Sequence, residues 1–223
     1  LLGIPVHGVV TPGLDGRFRP FDDDDRTAGL VALRRFGIEP PYLLSVATLE
    51  PRKNVEALVR AFLSLRRRNQ LPDCRLVLAG AHGWHDKRLL NLLRDVRDHG
   101  VILPGFLPDA LMPALYACAK ALVCASIYEG FGMPVLEARA CGTPVVVSDT
   151  PELREAGGAH AVFVEPTVSG IRHGLMRAMK LPRAIEPGLA ERHSWRRQSQ
   201  LLAALMTRRA QPRQFTNALD APR

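Results

Sequence analysis

Short apolar runs alternate along the chain with longer segments in which apolar residues recur every three or four positions. The short runs predict β-strands, and the longer segments predict α-helices. The strands are predicted at residues 42–47, 75–79, 101–103, 120–125, 144–148 and 161–164, and the helices at 55–68, 87–99, 109–118, 134–141, 151–156 and 168–179. Strands that are separated by helices need crossover connections, and these produce a parallel sheet.

The strand pattern also predicts how the sheet is covered. Three consecutive valines at 145–147 show no alternation with polar residues, as expected for a strand that is buried on both faces. The predicted fold class is therefore α/β, a Rossmann-like, doubly wound parallel sheet.

The two ends of the chain differ from this middle part. Residues 1–21 predict one strand and a loop, and an acidic run at 22–25 leads into a short helix that ends near Gly37. Residues 211–223 carry two prolines and no periodic pattern, which predicts a disordered tail. The chain starts at Leu-Leu-Gly-Ile-Pro without a Met, so we expect it to be part of a longer protein.

Composition narrows the class of protein. Apolar residues make up 47% and charged residues 23% of the 223 residues, an ordinary balance for a globular protein. No apolar run approaches the ~20 residues that span a bilayer. The four cysteines form no Cys-x-x-Cys pair, which argues against a zinc or thioredoxin-like site and predicts buried thiols in a cytoplasmic protein.

The net charge of +8 leaves several partners open. Seven arginines follow residue 190, and a solvated basic helix face is the simplest interpretation. An anionic membrane surface, with the protein peripheral at the inner face, a polyanionic small substrate and nucleic acid are the alternatives. Aromatic residues make up only 6%, which leaves few stacking platforms and argues against nucleic acid.

Two short motifs raise the question of a metal. The aspartates at 22–25 contain Asp-x-Asp, but Asp25 is well placed to cap the following helix, and neighbouring carboxylates favour a helix N-terminus. His82 and His85 lie close together without a third ligand nearby, which favours a packing role in a loop. We therefore predict no metal and no cofactor.

The densest chemical signal follows the predicted strand 120–125. Gly130 and Gly132 allow close backbone approach, and the helix that starts near Pro134 offers free amides to a phosphate. Glu129 and Glu137 flank this site, and each carboxylate can accept hydrogen bonds from two adjacent hydroxyls of a sugar or ribose. These features predict a receptor for a nucleoside diphosphate sugar.

A basic turn is predicted to supply the countercharge. Arg52 and Lys53 follow the strand 42–47, and open α/β sheets bind ligands at such strand ends. The chain has no Gly-x-Gly-x-x-Gly, no Gly-x-x-x-x-Gly-Lys and no Gly-x-Ser-x-Gly, which argues against dinucleotide dehydrogenases, P-loop NTPases and the usual serine hydrolases.

The sequence Glu-Gly-Phe-Gly-Met-Pro-Val-Leu-Glu at 129–137 resembles the Glu-x7-Glu motif of retaining glycosyltransferases of the GT-B fold, family 4 or group 1. The resemblance runs from about residue 10 to 206. Residues 9–20 look like the interdomain segment of that family, and residues 46–54 look like its phosphate-binding turn. Many relatives have Gly-Arg where this chain has Ala47-Thr48, so one diphosphate-binding arginine is missing, and Arg52 is expected to replace it.

The resemblance implies domains and roles. Residues 1–40 would be the interdomain segment and lead-in helix, 41–210 the nucleotide-sugar-binding domain, and 211–223 the tail. Glu129 would be the catalytic residue that orients the donor sugar, and Glu137 would bind the ribose hydroxyls. The donor would also be held by Arg52, Lys53, Gly105, Phe106, Leu107, Gly130, Phe131, Gly132 and Met133.

The implied function is that of the C-terminal, donor-binding half of a GT-B enzyme. It would transfer a sugar with retained anomeric configuration to an acceptor hydroxyl in bacterial-type polysaccharide or glycolipid synthesis, without a metal. The Glu-Pro-Arg-Lys-Asn turn favours GDP-mannose as donor. The acceptor would bind an absent N-terminal half, so this chain alone is expected to be inactive. A binding module without transferase activity and an epimerase- or phosphorylase-like relative are the alternatives.

Overall fold

The computed structural model describes residues 8–81, 87–96 and 99–209. Their strands form one sheet in the order β3-β2-β1-β4-β5-β6, and every neighbouring pair is parallel. The strands are β1 (Tyr42–Val46), β2 (Arg75–Ala79), β3 (Val101–Ile102), β4 (Ala121–Cys124), β5 (Val145–Ser148) and β6 (Val162–Val164).

Helices connect and cover these strands. They are α1 (Asp23–Arg34), α2 (Val55–Arg67), α3 (Lys87–Asp95), α4 (Met112–Cys118), α5 (Met133–Ala140), α6 (Pro151–Gly157), α7 (Val168–Ala178), α8 (Leu189–Arg192) and α9 (Trp195–Arg209). Two short 3-10 turns lie at Pro51–Lys53 and Asp109–Leu111. Within the described residues, no helix is long and apolar enough to cross a membrane.

The sheet is buried on both faces, as the uninterrupted valines predict. Leu44 and Val147 belong to one apolar cluster, which also contains residues of α4 and α5. Their neighbours Leu43 and Val146 belong to the other cluster, with residues of α2 and α7. Successive strand residues point to opposite faces, so helices on both sides are needed to cover them. The predicted doubly wound fold is confirmed.

Several element ends differ from the prediction. The strands predicted at 120–125 and 101–103 shorten to β4 and β3, because only residues opposite a neighbouring strand join the ladder. The helix predicted at 109–118 opens with a 3-10 turn before α4, and α8, with four residues, was not predicted. Of the helix predicted at 87–99, α3 ends at Asp95, and residues 97 and 98 lie outside the described residues.

The cap of α1 corrects a prediction. Asp22, not Asp25, is the N-cap: its Oδ1 accepts from the Asp25 amide at 2.8 Å. The Asp25 carboxylate instead pairs with Arg19 at 2.7 Å. The other aspartates occupy the first turn, where the helix dipole favours them. The predicted tail at 211–223 lies outside the described residues.

The cysteines carry free thiols that are buried or half-buried, close to the buried thiols that the sequence predicts. Cys74, Cys118 and Cys141 are buried, Cys124 is half-buried, and all four are free. Burial raises the pKa of Cys74 and of Cys124 to about 11, which keeps both thiols protonated and weakly reactive at neutral pH.

The segment before α1 packs against the start of α9. Leu14 forms a parallel bridge with Ser194, and its amide donates to the His193 carbonyl at 2.6 Å. The Thr11 amide donates to the buried side chain of Gln198 at 3.3 Å. Within residues 8–21, this bridge takes the place of the strand predicted for 1–21. These contacts hold residues 11–14 against the start of α9.

Gly80 should be indispensable where β1 and β2 end. Its φ is +143°, and an added Cβ would collide with the Ala47 carbonyl. Gly80→Ala should therefore destabilise the chain by about 2 kcal/mol. Gly16→Ala is the matched control, because a Cβ there meets nothing within 4 Å. Urea unfolding followed by circular dichroism measures both, and equal stabilities would contradict the assignment.

Candidate functional site

Two of the predicted segments, the basic turn at 52–53 and the glycine turn at 129–133, lie at the topological switch point of the sheet. From β1 the chain crosses to β2 on one side, whereas β4 pairs with β1 on the other side. A crevice opens at the carboxyl ends of two such strands. The turn Pro51–Lys53 follows β1, and the loop 125–132 follows β4. The Ile127 amide joins them by donating to the Arg52 carbonyl at 2.8 Å.

Glu129 is the centre of this crevice. Its Oε1 accepts from Lys53 Nζ at 2.5 Å and from Ser126 Oγ at 2.7 Å. Its Oε2 has Arg52 Nη1 at 3.6 Å. Arg52 is shared, since its Nε donates to Glu50 at 2.7 Å. The two side chains of the Lys53–Glu129 pair are nearly buried, with 12% and 10% exposed.

The electrostatics of Glu129 follow from these contacts. Burial alone would raise the pKa of Glu129, but the hydrogen bonds from Lys53 and Ser126 and the charges of Lys53 and Arg52 hold it below its ordinary value. The carboxylate is therefore ionised at neutral pH. Oε1 is occupied by short hydrogen bonds from Lys53 and Ser126, whereas Oε2 has the longer ion pair with Arg52, so Oε2 is the oxygen more available to a ligand.

The start of α5 presents a row of unused amides. The N–H groups of residues 130–133 donate to no acceptor in the described part of the chain. Gly132 is the N-cap, with φ +90° and no capping side chain, and a Cβ there would collide with Leu153. Free amides at a helix N-terminus form an anion site.

Glu137 lies one turn further along α5 and is half-buried. Its Oε2 accepts from the Tyr116 hydroxyl at 2.6 Å, and Tyr116 is held in the core edge-to-face against Phe18. Burial raises the pKa of Glu137, and the hydrogen bond from Tyr116 opposes this only in part. Among the described residues, Oε1 of Glu137 has no hydrogen-bond partner.

The predicted segment 105–107 is divided between the surface and the core. Gly105 has φ +73°, and the Phe106 ring is 85% exposed. Leu107 is buried in the core, so only its main chain can face a ligand. The exposed aromatic ring is the group in this segment that can stack on a base.

An open cleft of about 570 Å³ lies over the glycine turn. Its walls include Glu129 and the predicted residues Gly130, Phe131, Gly132 and Met133, together with Val9, Val10, Thr11, Pro12, Pro134 and Glu155. The other predicted site residues do not line it: these are Arg52, Lys53, Glu137 and the segment 105–107. Residues 9–12, Ser126 and Glu155 were not predicted as site residues from the sequence. Ser126 could have been predicted, because a polar residue just after a buried strand lies at the carboxyl edge of the sheet, where ligands bind.

The structure gives the aspartates that were considered as metal ligands other partners. The aspartates at 22–25 serve the α1 N-terminus and Arg19, and His82 and His85 lie outside the described residues. Across residues 8–81, 87–96 and 99–209, no three His, Cys, Asp or Glu side chains are grouped in a way that could hold a metal.

The sequence of this chain matches the model of a known protein family. Residues 34–201 match the family described as glycosyl transferases group 1. The chain is 41% identical to the O-antigen chain mannosyltransferase B of Escherichia coli over 128 residues, 56% of this chain and 33% of the relative. It is 33% identical to the GDP-mannose-dependent alpha-(1-6)-phosphatidylinositol monomannoside mannosyltransferase of Mycolicibacterium smegmatis, over 91% of this chain and 56% of the relative. The chain thus spans a third to about half of these relatives.

Solved structures share the fold. A sucrose-phosphate synthase from Thermosynechococcus elongatus superposes with a TM-score of 0.71 at 22% identity, over 89% of this chain and 51% of the other. Anabaena HepE in complex with UDP and glucose gives a TM-score of 0.71 at 17% identity, over 90% and 57%. The chain therefore matches about half of each of these structures.

Replacing Lys53 should reverse the effect of pH on the stability that Glu129 contributes. In the native chain the pKa of Glu129 lies below its unfolded value, so its contribution to stability is present above the unfolded pKa and is lost as the pH falls through the folded pKa. In Lys53→Met, burial should dominate and raise this pKa, so that lowering the pH toward the ordinary glutamate range stabilises the variant. At neutral pH we expect a loss of about 3 kcal/mol.

Arg60→Met is the control for this prediction, because it breaks the exposed Arg60–Glu56 pair on α2. It should cost less than about 0.5 kcal/mol and keep the native pH profile. Urea unfolding of the three proteins across the acid range measures the effect. A Lys53→Met profile parallel to the native one would show that Glu129 does not depend on Lys53.

Proposed function

The chain belongs to the group 1 glycosyl transferases, and we propose that it supplies the donor site of a retaining enzyme that uses a nucleoside diphosphate sugar. The family match confirms the resemblance predicted from the Glu-x7-Glu spacing. The observation that carries the donor proposal is the row of amides at 130–133 that have no acceptor in the described part of the chain. In the sequence they lie between Glu129 and Glu137, two carboxylates whose environments differ.

The diphosphate would bind the amides at the start of α5 and the basic turn after β1. Lys53 is committed to Glu129, whereas the Arg52 side chain is 45% exposed and can turn toward a phosphate. An arginine fork suits phosphate oxygens. Arg52 and the amides would also stabilise the charge that develops on the leaving diphosphate, so the proposed reaction needs no metal.

The two glutamates would have different tasks. Glu129 is ionised and borders the cleft, so its Oε2 would orient the donor sugar and stabilise positive charge near the anomeric carbon in the transition state. Glu137 keeps one free oxygen beside its bond to Tyr116 and would accept from the ribose hydroxyls. The exposed Phe106 would border the base.

We propose GDP-mannose as the donor and a polysaccharide or glycolipid hydroxyl as the acceptor. The relatives named above are mannosyltransferases, and the name of one of them specifies GDP-mannose. These relatives are two to three times longer than the region they share with this chain. The acceptor would therefore bind a part that complements this donor site, and the chain alone should bind donor but transfer poorly, because orientation of both reactants supplies much of the rate.

Substituting the two glutamates should separate their roles. Glu137→Gln should weaken binding of GDP or UDP about tenfold, near 1.4 kcal/mol, because the ribose loses a charged acceptor. Glu129→Gln should leave nucleotide binding almost unchanged, because its partner would be the sugar. Glu56→Gln, on the outer face of α2, is the control. Calorimetry with GDP and with UDP measures all three, and loss of binding in Glu129→Gln alone would reverse the assignment.

The pH dependence of nucleotide binding tests the same contact. Because the pKa of Glu137 is raised, GDP affinity should fall as the pH drops through a value above the ordinary glutamate range. Tyr116→Phe removes a hydrogen bond that lowers this pKa, so the affinity should be lost at a higher pH than in the native chain. Binding titrations across pH measure the midpoint. If Glu137→Gln shows the same titration, the group responsible is not Glu137.

A further inference from the structure

A second charged pocket lies at the amino ends of the strands, opposite the donor site. Arg26 of α1, Lys120 just before β4 and Arg183 after α7 line it together. The pocket has a volume of about 340 Å³, and its other walls are Pro40, Pro41, Cys118, Ala119, Leu181 and Pro182. Three cations from three distant parts of the sequence therefore meet in one concavity.

Within the part of the chain that the structure describes, these three cations donate hydrogen bonds to neutral acceptors only. Arg26 Nη1 donates to the Ala117 carbonyl at 2.7 Å, and Lys120 Nζ donates to the Leu181 carbonyl at 3.2 Å. Arg183 donates to Thr143 Oγ1 at 3.0 Å and to the Ala119 carbonyl.

No carboxylate of the described residues forms an ion pair with any of the three. Glu39 precedes Pro40 in the chain, but it pairs with Arg34 at 3.6 Å.

Capping of α4 explains part of this arrangement. The carbonyls at the end of α4 attract cations, and Arg26 and Arg183 bind two of them. Lys120 has no role in that cap. Each of the three side chains keeps at least two N–H groups without a protein acceptor in the described part of the chain. Desolvation and the nearby charge of Arg26 lower the pKa of Arg183, as expected where cations lie close together.

We propose that this pocket binds a phosphate group, as a monoester or diester, at a site separate from the donor site. A phosphate brings up to two negative charges and three acceptor oxygens, which matches two guanidinium forks and an ammonium better than one carboxylate would. The volume admits the phosphate and the first atoms of its ester. The source is either a free phosphate compound or the headgroup of an anionic lipid.

Chemical-shift mapping of this chain with glycerol 3-phosphate locates the site without any substitution. The expected result is saturable shifts of the amides at 119–121 and of the amides of residues 181, 183 and 184, which flank Pro182. Shifts confined to the amides at 130–133 would place phosphate only at the donor site and would overturn the proposal. Because the amides of the two sites shift independently, the experiment can contradict the donor-site proposal and still support the phosphate site at the amino ends of the strands.

A double variant tests the cations. Lys120→Gln with Arg183→Gln should weaken glycerol 3-phosphate binding at this pocket at least about tenfold and leave GDP binding unchanged. Arg68→Gln with Arg177→Gln removes the same charge from exposed positions and should bind as the native chain does. Equal loss in both double variants would indicate a general charge effect and overturn the site. If the first double variant is unfolded, the shift mapping on the native chain decides.

Vesicles distinguish the two sources. Sedimentation with phosphatidylglycerol vesicles, but not with phosphatidylcholine vesicles, that is lost in Lys120→Gln with Arg183→Gln would identify a lipid headgroup. Binding of glycerol 3-phosphate without sedimentation would identify a free phosphate compound. Absence of both kinds of binding would overturn the proposal.

Discussion

The candidate site depends on one ion pair, between Lys53 and Glu129. Both side chains are nearly buried, and a buried charge without its partner costs several kcal/mol. The pair therefore obliges the turn after β1 and the loop after β4 to lie together, and the bond from the Ile127 amide to the Arg52 carbonyl holds them there. The crevice at the switch point keeps its shape because separating these two loops would leave Lys53 and Glu129 as unpaired charges.

The same pair lets opposite charges occupy one crevice. A carboxylate beside an anion site would repel a phosphate, yet Glu129 stands directly before the unpaired amides of α5. Lys53 offsets its charge, and Arg52 divides its donors between Glu50 and Glu129. Oε2 of Glu129, held by the longer contact with Arg52, can still accept from a neutral hydroxyl, while the amides, which have no acceptor in the described part of the chain, can bind an anion. The group that can bind a hydroxyl and the groups that can bind an anion therefore follow one another in the sequence and lie side by side in the crevice.

The fold could be predicted from the sequence because the strands are short and mostly apolar runs, with Ser45, Arg75 and Ser148 as their polar residues. It also placed Lys53, Arg52 and Glu129 together, since residues that follow neighbouring parallel strands share an edge. The pairing of Tyr116 with Glu137 could not be predicted, because it joins the side chains of two helices that pack only in the folded state. Asp22 could not be told from Asp25 among four adjacent aspartates, and the burial of Leu107 next to exposed Phe106 depends on tertiary packing.

Strand β4 joins the two charged regions of the molecule. Lys120 precedes it at the amino edge, and Ser126 and Glu129 follow it at the carboxyl edge. Four strand residues span roughly 13 Å, so a phosphate at one end does not compete directly with a ligand at the other. Val123 is 1% exposed and Leu122 is fully buried, and a close-packed strand resists sliding. Because no part of β4 can move without disturbing both faces of the core, the two sites are expected to bind their anions independently.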